Sequence, residues 1–403
     1  MSASNLVVFD TCTLPEYYND VHTVLALPAG HVLTYDYGAY NVSPEAQAVL
    51  RRVKDGERPR AVLAYVQPIG YVKGAGTDVK TVLPEPTMQT LTRLAEVVAV
   101  REVSNGEKVR FYFDLELGGY PYDANATIAG QMVEQLRAAG EMPMKTYVAV
   151  FPSTVSEALF GQKADDPAFS NIVSVLSRPD SQFRRDTFWR ITGISHRTRS
   201  LLPLALTKVK PLEPRTIVEG GRSVSVLELV DQSTIYFHVQ FLRGEEHGSD
   251  YRLRRVTVEG SPKAASDLIR NSFSARSFGQ EAVAISIPAT SSLSAQTVRV
   301  QFATQLHEND DVKDYPYGPQ PAIEVRYRKA PVRSLLAILS VVAASVLFAW
   351  AAFATSFATA PATDGIIVPL AWRGAFAALG VLLSLYAYYL WTDDVALDKA
   401  RRT

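Results

Sequence analysis

The sequence predicts a mainly β protein with some α: an α+β amino-terminal region, a β-sandwich-like membrane-proximal domain and a C-terminal two-helix transmembrane hairpin. Three observations carry that prediction. Leu335 to Ala354 and Gly374 to Trp391 are apolar runs of twenty and eighteen residues without a charge. Val109 to Leu117, VRFYFDLEL, alternates apolar and polar side chains as a half-buried strand does. Beyond residue 200, short alternating runs separated by turn signals dominate up to residue 330.

Taken in order, residues 1–200 form a strand-rich α+β domain, with the possibility of two subdomains left open. LVVF, VHTVLALP, HVLTYDYG and AVLAYVQPIGYV are strand-like runs punctuated by Pro and Gly. In VRFYFDLEL, the side chains from Val109 to Leu117 at odd positions form the buried face, and Arg110, Tyr112, Asp114 and Glu116 the wet one. Helices are expected at Pro44 to Val53, capped by Ser43 with Glu45 in the first turn, and at Thr87 to Val98. A third is expected at Ala124 to Ala139, between Asp123 and Gly140, followed by the strand TYVAVF and helical patches at Thr154 to Phe160 and Pro167 to Leu176.

Residues 201–330 read as the membrane-proximal domain. IYFHVQFL, TVRVQFA and AIEVRYR place Ile235, Phe237, Val239 and Phe241, then Val298, Val300 and Phe302, then Ile323, Val325 and Tyr327 on common faces. Gly244 to Ser249 joins two strands as a hairpin loop. Residues 334–391 carry the hairpin and 392–403 a tail. A span of twenty helical residues covers about 30 Å, the thickness of a bilayer's hydrocarbon core.

Charge sets the expected orientation. Arg326, Arg328, Lys329 and Arg333 precede the first span, and Lys399, Arg401 and Arg402 follow the second, whereas the connecting segment holds only Arg373. Basic residues beside spans stay on the cytoplasmic side. Both termini and the large soluble region are therefore expected in the cytoplasm, at the inner (plasma) membrane. Trp372 at one interface and Tyr386, Tyr388, Tyr389 and Trp391 at the other fit amphipathic belts. MSASNLVVFD does not read as a signal peptide. A single cysteine, Cys12, cannot form an intrachain disulfide and suits a reducing compartment.

Forty-one basic and forty-one acidic residues cancel, so no global field draws the chain to nucleic acid. GAGTDVKT (74–81) resembles a phosphate-binding loop, but Val79 stands where a bare glycine is needed, and Pro84 and Pro86 prevent the following helix. The six histidines form no metal-spaced pair, and the acidic run HENDDVKD (307–314) lacks the turn glycine of a calcium loop. No catalytic motif, metal site or cofactor site is expected, and the chain reads as a non-enzyme.

The expected partners are the lipid bilayer and a protein, or a second copy of the chain. Arg178 to Arg199 interleaves arginine with aromatics, and Arg184, Arg185, Trp189, Arg190, Arg197 and Arg199 form a candidate partner or anionic-ligand patch. The competing reading puts Phe183, Phe188 and Trp189 in the core. Arg326, Arg328, Lys329 and Arg333 are candidate headgroup contacts, at about 1 kcal/mol for each basic residue near an anionic surface. Ser340, Ala344, Ser345, Ala349, Gly380 and Ser384 are small residues at helical spacing, suited to packing in lipid. The first functional expectation is a membrane-anchored binding, scaffold or sensor module. The alternatives are a membrane-perturbing effector activated by clustering and a membrane-tethered hydrolase with a non-sequential site. In layout alone, the arrangement resembles membrane-bound effectors and scaffolds of bacterial stress and defence systems.

Overall fold

A computed structural model describes residues 6–11, 18–68, 86–106, 108–121, 147–151, 156, 159–160, 166–178, 181, 183, 186–198, 200–201, 208–243, 254–259, 271–274, 279–287, 294–306, 321–356 and 370–391. The expected helix at 124–139, the loops at 74–81 and 244–249 and the acidic run 307–314 lie outside these residues.

The first sheet has six strands: β1 (Leu6–Thr11), β2 (Val32–Gly38), β3 (Arg60–Pro68), β4 (Pro86–Asn105), β5 (Lys108–Leu117) and β6 (Val148–Phe151). Their order is β2-β5-β4-β3-β1-β6, with β1 and β3 parallel and every other pair antiparallel. Helix α1 (Tyr18–Ala26) and helix α2 (Pro44–Arg51) pack on the face that buries Val7, Phe9, Phe113 and Leu115. Ser43 caps α2 as expected, accepting from the Ala46 N–H at 3.1 Å. On the opposite face Leu6, Val8, Val62 and Leu94 cluster with Phe151 and Leu159.

Two expectations fail here, both for periodicity. VHTVLALP forms α1, not a strand: Val21, Val24 and Leu25 are buried at helical spacing, and their packing overrides the strand preference of β-branched residues. Conversely, Thr87 to Val98 lies within the twenty-residue strand β4, not a helix. The pairing of β4 slips between Leu63 and Ala64 of β3, where Thr92 is the extra residue, and again beside Val98. The first bulge puts Leu91 and Leu94 on one face and Ala95 on the other. Buried residues at spacings of three and four imitate a helix.

Helix α3 (Asp166–Leu176) buries Phe169, Ile172, Val173 and Leu176 against Val21 and Leu25 of α1, together with Tyr65, Phe183 and Phe188. A second sheet takes β9 (Arg215–Glu219), β10 (Arg222–Val230), β12 (Arg254–Glu259), β13 (Asn271–Ser274), β15 (Gln296–Leu306) and β16 (Ala322–Arg328), ordered β13-β12-β15-β16-β10-β9. A third, ordered β14-β11-β7-β8, takes β7 (Thr187–Thr198), β8 (Lys210–Pro211), β11 (Ser233–Arg243) and β14 (Gly279–Ser286). Strand β7 precedes residue 200 yet pairs along its length with β11. The second and third sheets share a core: Phe302 of β15 lies 5.6 Å from Trp189 of β7 and meets Phe237 of β11 edge-on at 5.2 Å. All the inward-facing residues anticipated on β11, β15 and β16 are buried.

Helices α4 (Pro331–Ser356) and α5 (Leu370–Trp391) follow. Their 26 and 22 residues correspond to about 39 and 33 Å, long and apolar enough to cross a bilayer. Ala337, Ser340 and Ala344 of α4 and Gly380, Ala387 and Leu390 of α5 are buried. The outward residues Leu335, Leu339, Val346, Trp350, Leu382 and Leu385 are all more than half exposed. Helices this apolar, packed on each other with their outward residues exposed, differ from the core helices of a globular domain.

Candidate ligand cleft and membrane junction

A cleft of about 1180 Å³ opens where the edge of the first sheet meets the second. Its walls come from β2, Asp20 and Thr23 of α1, Ala39 to Asn41, the start of β5, and residues of β10, β15 and β16. Asp114 sets the two sheets in place. It is fully buried on β5, accepting from Thr34 Oγ1 of β2 at 2.8 Å, from the Ser223 N–H of β10 at 2.8 Å and from Arg101 Nη2 of β4 at 3.3 Å. The alternation of VRFYFDLEL put this carboxylate on the wet face; the second sheet covers that face here, so it is interior. Ser225 adds a second link, donating to the Gly30 carbonyl at 3.0 Å and accepting from the Val32 N–H at 2.8 Å. Gly30 turns into β2 with φ of +81°, a conformation that a side chain disfavours.

Buried titratable groups line this cleft. Asp20, in the first turn of α1, is 2% exposed, and its Oδ1 accepts from Tyr35 O–H at 3.0 Å. Its Oδ2 has no partner among the described residues. Burial raises the Asp20 carboxyl to about 7, although the Tyr35 hydrogen bond favours the anion. Burial, reinforced by Asp20, pushes the Tyr35 phenol well above its usual range. His31, 5% exposed, has Nδ1 unpartnered among the described residues. Burial first and the Arg93 charge second lower it to about 4, so it is neutral near pH 7. Tyr37 stacks 6.4 Å from Tyr35 and donates to the Asp10 carbonyl. The Tyr40 ring, 78% exposed, lies over Gly38, where a Cβ would come within 2.5 Å of it. Arg110 pairs with Asp36 at 2.9 Å, and Lys108, Arg222 and Arg299 are exposed cations on the same walls.

The opposite end of β10 meets the apolar helices. Between β10 and β11, Gln232 adopts φ of +56°, uncommon for a residue with a long side chain. Its amide is buried and tied to both helices: Oε1 accepts from Arg333 Nη1 of α4, and Nε2 donates to the Leu390 carbonyl of α5 at 3.3 Å. Asp231 binds the chain entering α4, donating its N–H to the Arg328 carbonyl at 2.8 Å and accepting from the Ala330 N–H at 3.0 Å. Tyr389 O–H donates to the Ser200 carbonyl at 3.1 Å. One strand thus runs from the cleft wall at Ser223 and Ser225 to the turn that holds both helices.

The residues singled out from the sequence distribute as follows. Arg184, Arg185 and Arg199 lie outside the described residues. Trp189 is core, and Arg190 is 6% exposed, donating through Nε to Gln240 Oε1 at 2.7 Å with its guanidinium over Phe169 at 4.6 Å. Arg197 is exposed on β7. The described members are thus divided between interior and surface. Arg326 pairs with Glu219 at 2.9 Å, Arg328 is exposed, Lys329 is half-buried, and Arg333 is buried under Gln232. Ser340, Ala344 and Gly380 face inward, with Phe348 against Gly380, whereas Ser345, Ala349 and Ser384 are exposed.

His238 alternates outward from the β11 core residues, and its Nε2 lies 2.9 Å from Ser195 Oγ. No described carboxylate orients that ring, so the pair lacks the third member of a hydrolytic triad among the described residues. No group of three or more His, Cys, Asp or Glu suited to a metal ion occurs among the described residues. The sequence reading missed Asp20, His31 and Gln232. Asp20, Thr23, Val24 and Leu27 follow helical spacing, a signal that a strand assignment for 21–28 hides. Compared with known proteins, the chain matches no family model, no curated protein and no solved structure.

Proposed function

We propose that the chain is a membrane-anchored binding module, non-enzymatic, in which α4 and α5 form a transmembrane hairpin and hold a ligand- or partner-recognising region at the cytoplasmic face of the inner membrane. The second and third sheets act as a β-sandwich-like domain between the cleft and the bilayer. The observation that carries this reading is the cleft: Asp20 and His31 line it, each with one buried polar atom unpaired among the described residues, and β10 connects its wall to the turn that grips both apolar helices. Unpaired buried polar atoms are costly unless water or a ligand satisfies them, and a ligand in this cleft would lie beside these. The basic residues on the soluble side of α4 support the orientation.

The test is a photo-crosslinking amino acid placed at Tyr40, at the cleft mouth, in the full-length protein in its native membranes. A control carries it at Val103, an exposed position outside the cleft lining. A discrete adduct at 40 and none at 103 is expected. Equal patterns at both positions would remove the cleft from the account. Exposure of Ser345, Ala349 and Ser384 outside the α4–α5 pair favours a second reading, in which clustered copies associate through these faces and perturb the membrane. Bulky substitutions at these three positions then suppress toxicity on overexpression; unchanged toxicity excludes it.

A further inference from the structure

Strand β2 is the outermost strand of the first sheet, and its free edge lies inside the cleft. The Leu117 N–H donates to the His31 carbonyl at 2.7 Å, so the carbonyl of residue 31 faces β5. By the alternation of an antiparallel ladder, Leu33, Tyr35 and Tyr37 then direct their backbone groups to β5. Val32, Thr34 and Asp36 direct theirs away from it. Val32 shows that direction, since its N–H reaches Ser225 Oγ on the facing strand. Among the described residues, nothing bonds to the backbone N–H or carbonyl of Thr34 or Asp36, and both residues are exposed.

The two faces of β2 differ in chemistry. Tyr35 and Tyr37 point to the side of α1, where Asp20 accepts from the Tyr35 hydroxyl through Oδ1 and its Oδ2 has no partner among the described residues. Thr34 and Asp36 point to the Asp114 side, where Arg222 and Arg299 extend from the second sheet. An added strand places successive side chains on these opposite faces, while its backbone satisfies the free edge. A lone small molecule would leave that edge unmatched.

We propose that the cleft binds an extended peptide segment of a partner protein, which adds as a strand to the edge of β2. One of its side chains, an amide or a basic group, donates to Asp20 beside the Tyr35 hydroxyl. Its neighbour in sequence, an acidic residue, faces Arg222 and Arg299. The proposal rests on the binding-module reading and names the partner class of the same site.

The test uses the full-length protein in lipid nanodiscs and a displayed library of random peptides about nine residues long, long enough to pass the Thr34–Asp36 edge at about 3.3 Å per residue. Enriched peptides are synthesised and titrated by fluorescence anisotropy. Asp36→Pro removes an outward N–H and leaves the β5-facing groups of Tyr35 and Tyr37 in place, as proline is tolerated on strand edges. Asp36→Ala keeps the N–H and controls for the lost Arg110 pair. We expect Asp36→Ala to bind within about threefold of wild type and Asp36→Pro about tenfold or more weaker, as loss of a backbone bond dictates. N-methylation along the peptide is expected to weaken binding at every second position, which remains decisive if Asp36→Pro unfolds. Equal binding by the two Asp36 variants, or an N-methyl scan without alternation, overturns strand addition. A library without binders also overturns it. A small-molecule adduct on the purified protein by native mass spectrometry, lost in Asp20→Asn, then leaves the binding-module reading standing, and its absence removes both.

Discussion

Replacing Asp20 by asparagine isolates the cost of burying a carboxylate in the cleft. The substituted amide keeps the shape and an acceptor for Tyr35 O–H but cannot ionise. In the folded chain, Asp20 titrates at about 7 rather than 3.8, because burial penalises the anion. Between those pH values the unfolded chain has released this proton and the folded chain retains it. Stability from this group is therefore full below about pH 4 and falls as pH rises toward 7. Roughly three pH units at about 1.4 kcal/mol each make the total on the order of 4 kcal/mol. The difference in unfolding free energy between Asp20→Asn and wild type, followed by pulse proteolysis of the full-length protein, should grow in favour of the variant from pH 4 to pH 7 and then level. Other titrating groups cancel in that difference. A flat difference across this range would refute the reasoning, since it would mean that Asp20 is solvated or paired.

Other predictions follow from the same contacts. His31→Gln should remove a loss of stability that wild type suffers as pH falls from about 6.5 toward 4, because burial keeps this imidazole neutral while the unfolded chain takes up a proton; pulse proteolysis of the pair reads it. Asp114→Ala should cost about 3–5 kcal/mol by leaving Arg101 and the Ser223 N–H without their carboxylate, with faster hydrogen exchange in β2 and β10 as the check. Gln232→Ala should free α5 from the β10–β11 turn and loosen α4, which Asp231 still holds, raising exchange there with little effect on the first sheet. Gly380→Leu should separate α4 from α5, because a Cβ there already meets the Phe348 ring at 3.0 Å; a disulfide-trapping pair across the two helices reports it.

Legibility from the sequence followed the simplicity of the local pattern. Ile235, Phe237, Val239 and Phe241 on β11 and Val298, Val300 and Phe302 on β15 are buried as their alternation requires, because each strand packs one face on one neighbour. The two apolar helices were equally plain, since length and absence of charge suffice. Bulges hid β4, where Thr92 and Val98 interrupt the period and leave helix-like spacing. Tertiary burial hid the cleft. Asp114 alternates like a surface residue until the second sheet covers it, and Asp20 shows its environment only once β2 and α1 meet. Arg190 and Trp189 carry the chemistry of a binding patch in a linear reading, yet β7 turns both into the interior. Nothing local to Gln232 announces a latch, because its partners are about a hundred residues or more away.

The most direct test of a cytoplasmic binding module held by two membrane-spanning helices is protease protection of the full-length protein in sealed vesicles of both orientations. The account predicts that protease digests the soluble region in inside-out vesicles and leaves it intact in right-side-out vesicles, while the protein resists alkaline extraction. Digestion in right-side-out vesicles would put the cleft on the other side of the membrane, and release by alkali would contradict the anchor itself.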